Sequence, residues 1–342
     1  MRRVILSLLC ALVLCAGCAE KKPVLRFYTW ADYIDESLVR EFEQANNCEV
    51  HISYYESNES MLAKLRTSNV QYDVLLPSTY AVEMLREEGL IQPLNHELIP
   101  NARKYVNPRI AAKVGDPQLE YSVPYYQGFT GIGYNSAKMV PPPDSWHIYE
   151  NPEYARRMSL LDDMRATIGV ALLTLGYDGN SVDDAELAEA KELVLKWKAN
   201  IAKFGVDDVK QELRSDALYA IQGYAGDIFQ ISRDFPDVRF VVPKEGGILT
   251  YDHLVIPANA GNYELACKFV NMMCDPDNAL KNIIETRYVV PIPEAIAKMP
   301  DDLKQIPSLL PTDEEIDKSC IHRDLGKDTE KYTKIWNEIR AN

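Results

Sequence analysis

The spacing of apolar positions changes period regularly over the first hundred residues. At 24–30, VLRFYTW sets Leu25, Phe27 and Thr29 against Arg26 and Tyr28, the two-residue period of a strand. At 36–46, Leu38, Val39 and Phe42 share one helical face, and 48–55 (CEVHISYY) alternates again. The stretch 58–66 places Met61, Leu62 and Leu65 on a helix face, with Asn58 as its cap. DVLLP at 73–77 is an apolar run ended by proline, as expected of a strand buried on both faces. A helix at 81–88 is closed by Gly89. Strand and helix alternate throughout, which predicts a parallel sheet covered by helices. Ligands of such sheets sit beyond the carboxyl ends of the strands. Those ends are Tyr28-Thr29-Trp30-Ala31-Asp32-Tyr33 and Pro77-Ser78-Thr79-Tyr80, both aromatic and polar.

A second α/β pattern follows. Helices are expected at 167–175, 183–199, 213–221, 262–274 and 276–286, and strands at 238–243 and 254–258. The tail, 303–342, reads as helical and polar, and KEGGI at 244–248 as a turn. The glycine-spaced segment 121–135 (YSVPYYQGFTGIGYN) reads as a crossing between two lobes. Its Gly131-Ile132-Gly133 lacks the third glycine of a dinucleotide fingerprint and is a turn or hinge signal only.

At about 150 residues per domain, 342 residues predict two domains. Hydrophobic residues make up 46% and charged residues 26%, an ordinary globular balance. A formal net charge of −14 argues against a nucleic-acid partner, which needs a basic face, and is compatible with a cationic ligand. Arg2 and Arg3 precede an apolar run at 4–14, too short for the about 20 residues of a spanning helix. Residues 1–17 therefore read as a signal peptide. Ala16-Gly17 before Cys18 resembles the bacterial lipoprotein box, in which Cys18 would carry lipid, although Cys15 stands where an aliphatic residue is usual. Cys48, Cys267, Cys274 and Cys320 remain in the mature chain and read as free thiols, with a disulfide left open. No C-x-x-C or H-x-x-x-H spacing occurs, so neither metal nor cofactor is expected. There is no G-x-S-x-G elbow, P-loop or H-E-x-x-H. Asp183-Asp184 marks a helix start rather than a catalytic pair.

Aromatic residues recur beside acids near the expected strand ends: Trp30/Asp32/Tyr33, Tyr80, Tyr125/Tyr126, Tyr224/Asp227, Tyr251/Asp252 and Tyr288. An alkyl ammonium needs this mixture. Its charge wants a carboxylate, and its methylenes and positive field suit aromatic faces.

FYTWADY (27–33), YYESNESMLAKL (54–65), YDVLLPSTYAVEMLREEGLIQPLN (72–95), SVPYYQGFTGIGYN (122–135), YAGD (224–227) and VVPKEGGI (241–248) closely resemble the spermidine/putrescine-binding periplasmic proteins of bacterial ABC importers. The resemblance runs in order from about residue 24 to about 297. It implies aromatic walls at Trp30, Tyr33, Tyr224 (a tryptophan in the family) and Tyr288. It implies ammonium partners at Asp32, Asp163 and Asp252, and a lining role for Ser78 and Tyr80. Asp227 matches a carboxylate of the putrescine-preferring branch. Ala31, Ala166 and Thr250 depart from the family, Ala166 standing where a Glu is frequent. Losing that Glu and gaining Asp227 favours putrescine over spermidine.

The resemblance implies an α/β type II periplasmic binding protein. Each of its two lobes is a mainly parallel sheet flanked by helices, with the ligand cleft between them. Lobe 1 would be 24–130 plus 251–297, lobe 2 would be 133–248 plus 300–342, and hinges would lie near 131–133, 249–250 and 297–300. The implied protein is no enzyme but a periplasmic, lipid-anchored polyamine receptor, working with an ABC permease in the inner membrane. Two readings compete. The fold could serve another small solute, for which Arg165 is the candidate carboxylate partner, or an anchored hydrolase could use cleft carboxylates.

Overall fold

The computed structural model describes residues 21–312, 316 and 319–341. The expected signal peptide at 1–17 and Cys18 lie outside the described residues. The first units fold as their periodicity predicts: β1 (Val24–Thr29), α1 (Glu36–Asn46), β2 (Glu49–Tyr54), α2 (Asn58–Thr67), β3 (Val74–Leu75) and α3 (Thr79–Glu87). β1 lies between β2 and β3 and parallel to both, with Phe27 opposite Ile52 and Val74. Leu25, Phe27, Val74 and Leu75 are wholly buried. Gly89, at φ +66°, ends α3. The cap of α2 is Ser57, one residue before the expected Asn58. Ser57 and Ser60 cap each other reciprocally. That frees the Asn58 amide to bond Ser78 with both its atoms, at 3.1 and 3.2 Å.

The second half runs β4 (Ser122–Asn135), β5 (Met158–Leu161), α4 (Met164–Thr174), α5 (Asp184–Asn200), β6 (Lys203–Gly205), α6 (Asp207–Arg214), β7 (Ala220–Tyr224), α7 (Ala225–Asp234), β8 (Val238–Val241) and β9 (Ile248–Val255). Then come α8 (Tyr263–Met273), α9 (Pro276–Thr286) and the C-terminal α10 (Thr329–Ala341). The strand order is β2-β1-β3-β9-β4-β7-β5-β6, with β8 also on β4. The fold is mixed α/β, two parallel-strand groups joined by long antiparallel strands. β4 pairs with β9 from Ser122 to Thr130, then with β7 and β8 from Thr130 to Asn135.

Three expectations change here. The helix expected at 213–221 ends at Arg214, Asp216 turns into the left-handed region at φ +59°, and β7 begins at Ala220. Burial of Leu213, Leu218 and Ile221 imitated a helical face, but pairing with β4 and β5 makes the last part a strand. The strand expected at 254–258 starts earlier, at Ile248, because β9 is paired along β4 through its polar stretch. Gly131 and Gly133 make no turn. They lie inside β4, where a Cβ on Gly131 would sit 2.5 Å from the Phe240 ring and one on Gly133 2.4 Å from Ile228 Cδ1. These glycines admit β8 and α7 to close packing.

One cluster around Ile132, Trp146, Tyr149, Trp197 and Tyr332 forms the core beneath α4, α5 and α10. The largest cluster, from Leu25 and Phe27 through Phe269 to Ile228, fills one face of the rest of the sheet. Cys48, Cys267 and Cys274 are buried free thiols.

Candidate functional site

The carboxyl ends of β1, β3, β5 and β7 converge on one cleft, with the middle of β9 at its base. Trp30 follows β1 and donates its indole N–H to Leu76 O at 3.0 Å, which fixes the ring. Ser78 and Tyr80 begin α3, Asp163 follows β5, Tyr224 ends β7, and Asp227 lies in the first turn of α7. Trp30, Tyr33, Ser78, Tyr80, Asp163, Tyr224, Asp227, Asp252 and Tyr288 all line this cleft. Asp32 does not. It sits at φ +58° and its side chain is 62% exposed.

Asp252 is the most deeply placed acid of the cleft, 4% exposed. Its Oδ1 accepts from the Ser78 hydroxyl at 2.6 Å and its Oδ2 from the Tyr33 phenol at 3.2 Å. Burial outweighs these donors and raises the carboxyl to about 7. His253 beside it supplies no counter-charge. Its ring lies between the hydroxyls of Thr79 and Ser122, both at 3.1 Å, and burial pushes it down to about 3. Among the described residues no base forms an ion pair with Asp252. A buried carboxylate with oriented hydroxyls and no resident cation is suited to receive one from a ligand.

Tyr288 forms a wall by a close approach of glycines from both sides. A Cβ on Gly226 would fall 2.3 Å from its ring and one on Gly128 3.4 Å from it. The ring packs 4.5 Å from Tyr33, centroid to centroid, and its hydroxyl donates to Asp227 Oδ1 at 3.0 Å. The glycine of Tyr224-Ala225-Gly226-Asp227 is therefore steric. Tyr125 and Tyr126 stand in the core behind this wall.

At one end of the cleft, Asp163 caps α4 through Ala166 N at 2.8 Å and accepts from the Tyr224 hydroxyl at 2.8 Å. Across from it the Tyr80 hydroxyl donates to Glu59 at 2.9 Å. Glu59 keeps contact with solvent, yet desolvation by the surrounding protein and the nearby Asp163 charge raise its carboxyl. Arg165 also lines the cleft, stacked 5.2 Å from both Tyr80 and Tyr332. Its Nη1 and Nη2 are committed to Arg323 O and Asn180 Oδ1, at 3.1 and 2.9 Å.

At the other end Lys210, on α6, reaches into the cleft with its side chain 11% exposed. Its Nζ lies 2.8 Å from Asp207, 3.3 Å from Asp227 and 3.6 Å from Asp32. Burial disfavours its charge, but Asp227, Asp207 and Asp32 together raise its pKa above the ordinary lysine value. Burial likewise raises Asp227, and Lys210 pulls it back. Lys210, Asp207, Glu59, Asn58 and Tyr55 escaped the sequence reading. The i, i+3 spacing of Asp207 and Lys210, and the place of Tyr55 at the end of the strand expected at 48–55, were the signals that could have flagged any of them.

The profile of the family described as bacterial extracellular solute-binding protein matches residues 37–311. The chain belongs to this family. The solute-binding protein is 35% identical to the spermidine/putrescine-binding periplasmic protein of Salmonella typhimurium over 334 residues, 97% of this chain and 95% of that one. It superposes with TM-score 0.88 and 30% identity on a Listeria monocytogenes protein assigned to a spermidine/putrescine ABC transporter, covering 93% of this chain and 99% of that one. It superposes with TM-score 0.85 and 30% identity on the TpPotD lipoprotein of Treponema pallidum, covering 93% and 100%. These relatives share the two-lobed architecture of binding proteins, and the family is one of extracytoplasmic receptors rather than enzymes. No helix of the described residues is long and apolar enough to cross a membrane.

Proposed function

We propose that this solute-binding protein is a polyamine receptor of an ABC importer, with putrescine favoured over spermidine. The observation that carries the reading is Asp252, a buried carboxylate held by Ser78 and Tyr33 hydroxyls, without a resident base, in a cleft walled by Trp30, Tyr33, Tyr224 and Tyr288. Asp163 and Glu59 mark a second acidic position. The names of the Salmonella and Listeria relatives support the ligand class. Arg165 speaks against a carboxylate ligand, because both its terminal nitrogens are already bonded within the protein. Ala166 removes a carboxylate from the Asp163 end, which is the remaining argument for the diamine. Putrescine has six heavy atoms, and at about 1.5 kcal/mol each binding could reach about −9 kcal/mol, a sub-micromolar Kd.

In this reading the chain divides into lobes 24–130 plus 251–297 and 133–248 plus 300–342. Hinges lie near 131–133, 249–250 and 297–300, the first two where β4 exchanges β9 for β7 and β8. A ligand touching both lobes binds the closed form better and so shifts the population towards it. The closed form would dock on an inner-membrane permease. Acylated Cys18 would hold the receptor on a bacterial membrane from the periplasmic side, an anchor supported by the lipoprotein nature of the Treponema relative. The test is titration calorimetry of the chain beginning at residue 19, unfolded and refolded to strip bound amine. Sub-micromolar 1:1 binding of putrescine or spermidine is expected. Absence of heat with both, from folded protein, overturns the reading.

A further inference from the structure

Two acids expected to meet a ligand ammonium, Asp32 and Asp227, already face one that belongs to the chain. Lys210 Nζ lies 3.3 Å from Asp227 and 3.6 Å from Asp32, while Asp207, one turn before it on α6, holds it at 2.8 Å. The lysine is not a surface group that happens to fold over. Its side chain is 11% exposed, as is that of Asp227, and both line the cleft. Asp227 is further fixed by the Tyr288 hydroxyl at 3.0 Å, so the ion pair is built into the cleft wall. The rest of the cleft is different. Among the described residues neither Asp252 nor the Asp163–Glu59 end forms an ion pair with a base.

We propose that Lys210 is a tethered surrogate for a ligand ammonium: it occupies the Asp227 end of the cleft, with Asp32 and Asp207 flanking it on the exposed side, and restricts the ligand to the carboxylates at Asp252 and Asp163, the latter with Glu59 beside it. The inference rests on the polyamine reading and deepens it. A diamine can place one ammonium at each remaining position. A third ammonium would have to displace a buried, thrice-paired lysine or stay without a carboxylate. Specificity here comes from a group that repels the longer ligand as well as from groups that attract the shorter one. It also revises the reason for a diamine preference, since Asp227 acts through Lys210 and not as a free grip.

The test compares putrescine and spermidine by titration calorimetry at physiological salt on the wild type, Lys210→Met and Lys210→Gln. Each variant frees Asp227 for the ligand. The spermidine-to-putrescine affinity ratio is expected to rise at least tenfold in both, chiefly through tighter spermidine binding. The double variant Lys210→Met/Asp227→Asn removes the buried charge as well as its partner. It is expected to fold even where Lys210→Met alone does not, and to gain less in that ratio than Lys210→Gln. A ratio that is unchanged or falls in the single variants, or a gain that is as large in the double variant, overturns the proposal. A wild type that binds neither amine overturns the polyamine reading itself, and this one with it, before any variant is compared.

Discussion

Asp252 makes the cleft respond to pH near neutrality. Its folded carboxyl titrates near 7, against about 3.9 for an unperturbed aspartate, because burial outweighs the Ser78 and Tyr33 hydroxyls. A raised acid binds its proton more tightly in the folded state. From this group alone, the unliganded protein therefore loses stability as pH rises from about 4 to about 7. An ammonium ligand needs the carboxylate form, so affinity runs the other way. It should plateau above pH 7 and fall by up to about tenfold per unit below it, reaching about a hundredfold at pH 5. Calorimetry between pH 5 and 8 reads this directly. Asp252→Asn should weaken putrescine by about 10- to 100-fold, the worth of a charged hydrogen bond, and flatten the pH profile. Unchanged affinity in that variant would remove Asp252 from the ammonium grip. At this scale the sequence was most informative where type and position coincide. Nine of the ten expected ligand residues reach one cleft. Lys210 and Glu59 were not legible, because a lysine or a glutamate on a polar helix normally faces solvent. Only the tertiary approach of α6 to Asp227 turns Lys210 inward, and only the Tyr80 hydroxyl ties the solvent-facing Glu59 to the edge of the cleft.

Among elements, the junction of β4, α7 and the segment after α9 carries the sharpest steric constraint. Gly226 touches the Tyr288 ring so closely that any Cβ must displace it. Gly226→Ala should cost about 1–3 kcal/mol in denaturant unfolding, the usual range for overpacking, and weaken putrescine because the wall moves. Equal stability and affinity would show that Tyr288 can retreat freely. The early strand-helix units were legible because their periods are regular and their partners are local in the chain. The strands β5, β6 and β7 were not, since each is at most five residues long and owes its extended form to distant neighbours. The turn half of the turn-or-hinge reading of Gly131-Ile132-Gly133 failed for a related reason. Glycine marks either a turn or a close contact, and only packing against Phe240 and Ile228 tells which.

For the whole molecule, ligand binding should appear as stability. A ligand at 100 times its Kd adds about 2.7 kcal/mol, several degrees in Tm for a protein of this size. Putrescine should raise Tm in this way and succinate should not, because both terminal nitrogens of Arg165 are bonded within the protein. A shift with succinate and none with putrescine would favour a carboxylate ligand. The overall architecture was legible from the alternation of strand and helix and from the motifs at the strand ends. The crossing at 121–135 was legible too, but its antiparallel partner β9 was not, because pairing between residues more than a hundred positions apart leaves no local pattern.

The Tyr288 wall has an optical consequence. Its ring is fixed on one side by Gly226 and its hydroxyl is held by Asp227, both in the lobe opposite its own in the proposed division. Any opening of the cleft must part the phenol from that carboxylate and admit water to the ring. The near-ultraviolet signal of tyrosine is sensitive to both changes. The protein thus contains its own label for closure, one that a rapid-mixing spectrometer could follow without attaching a dye.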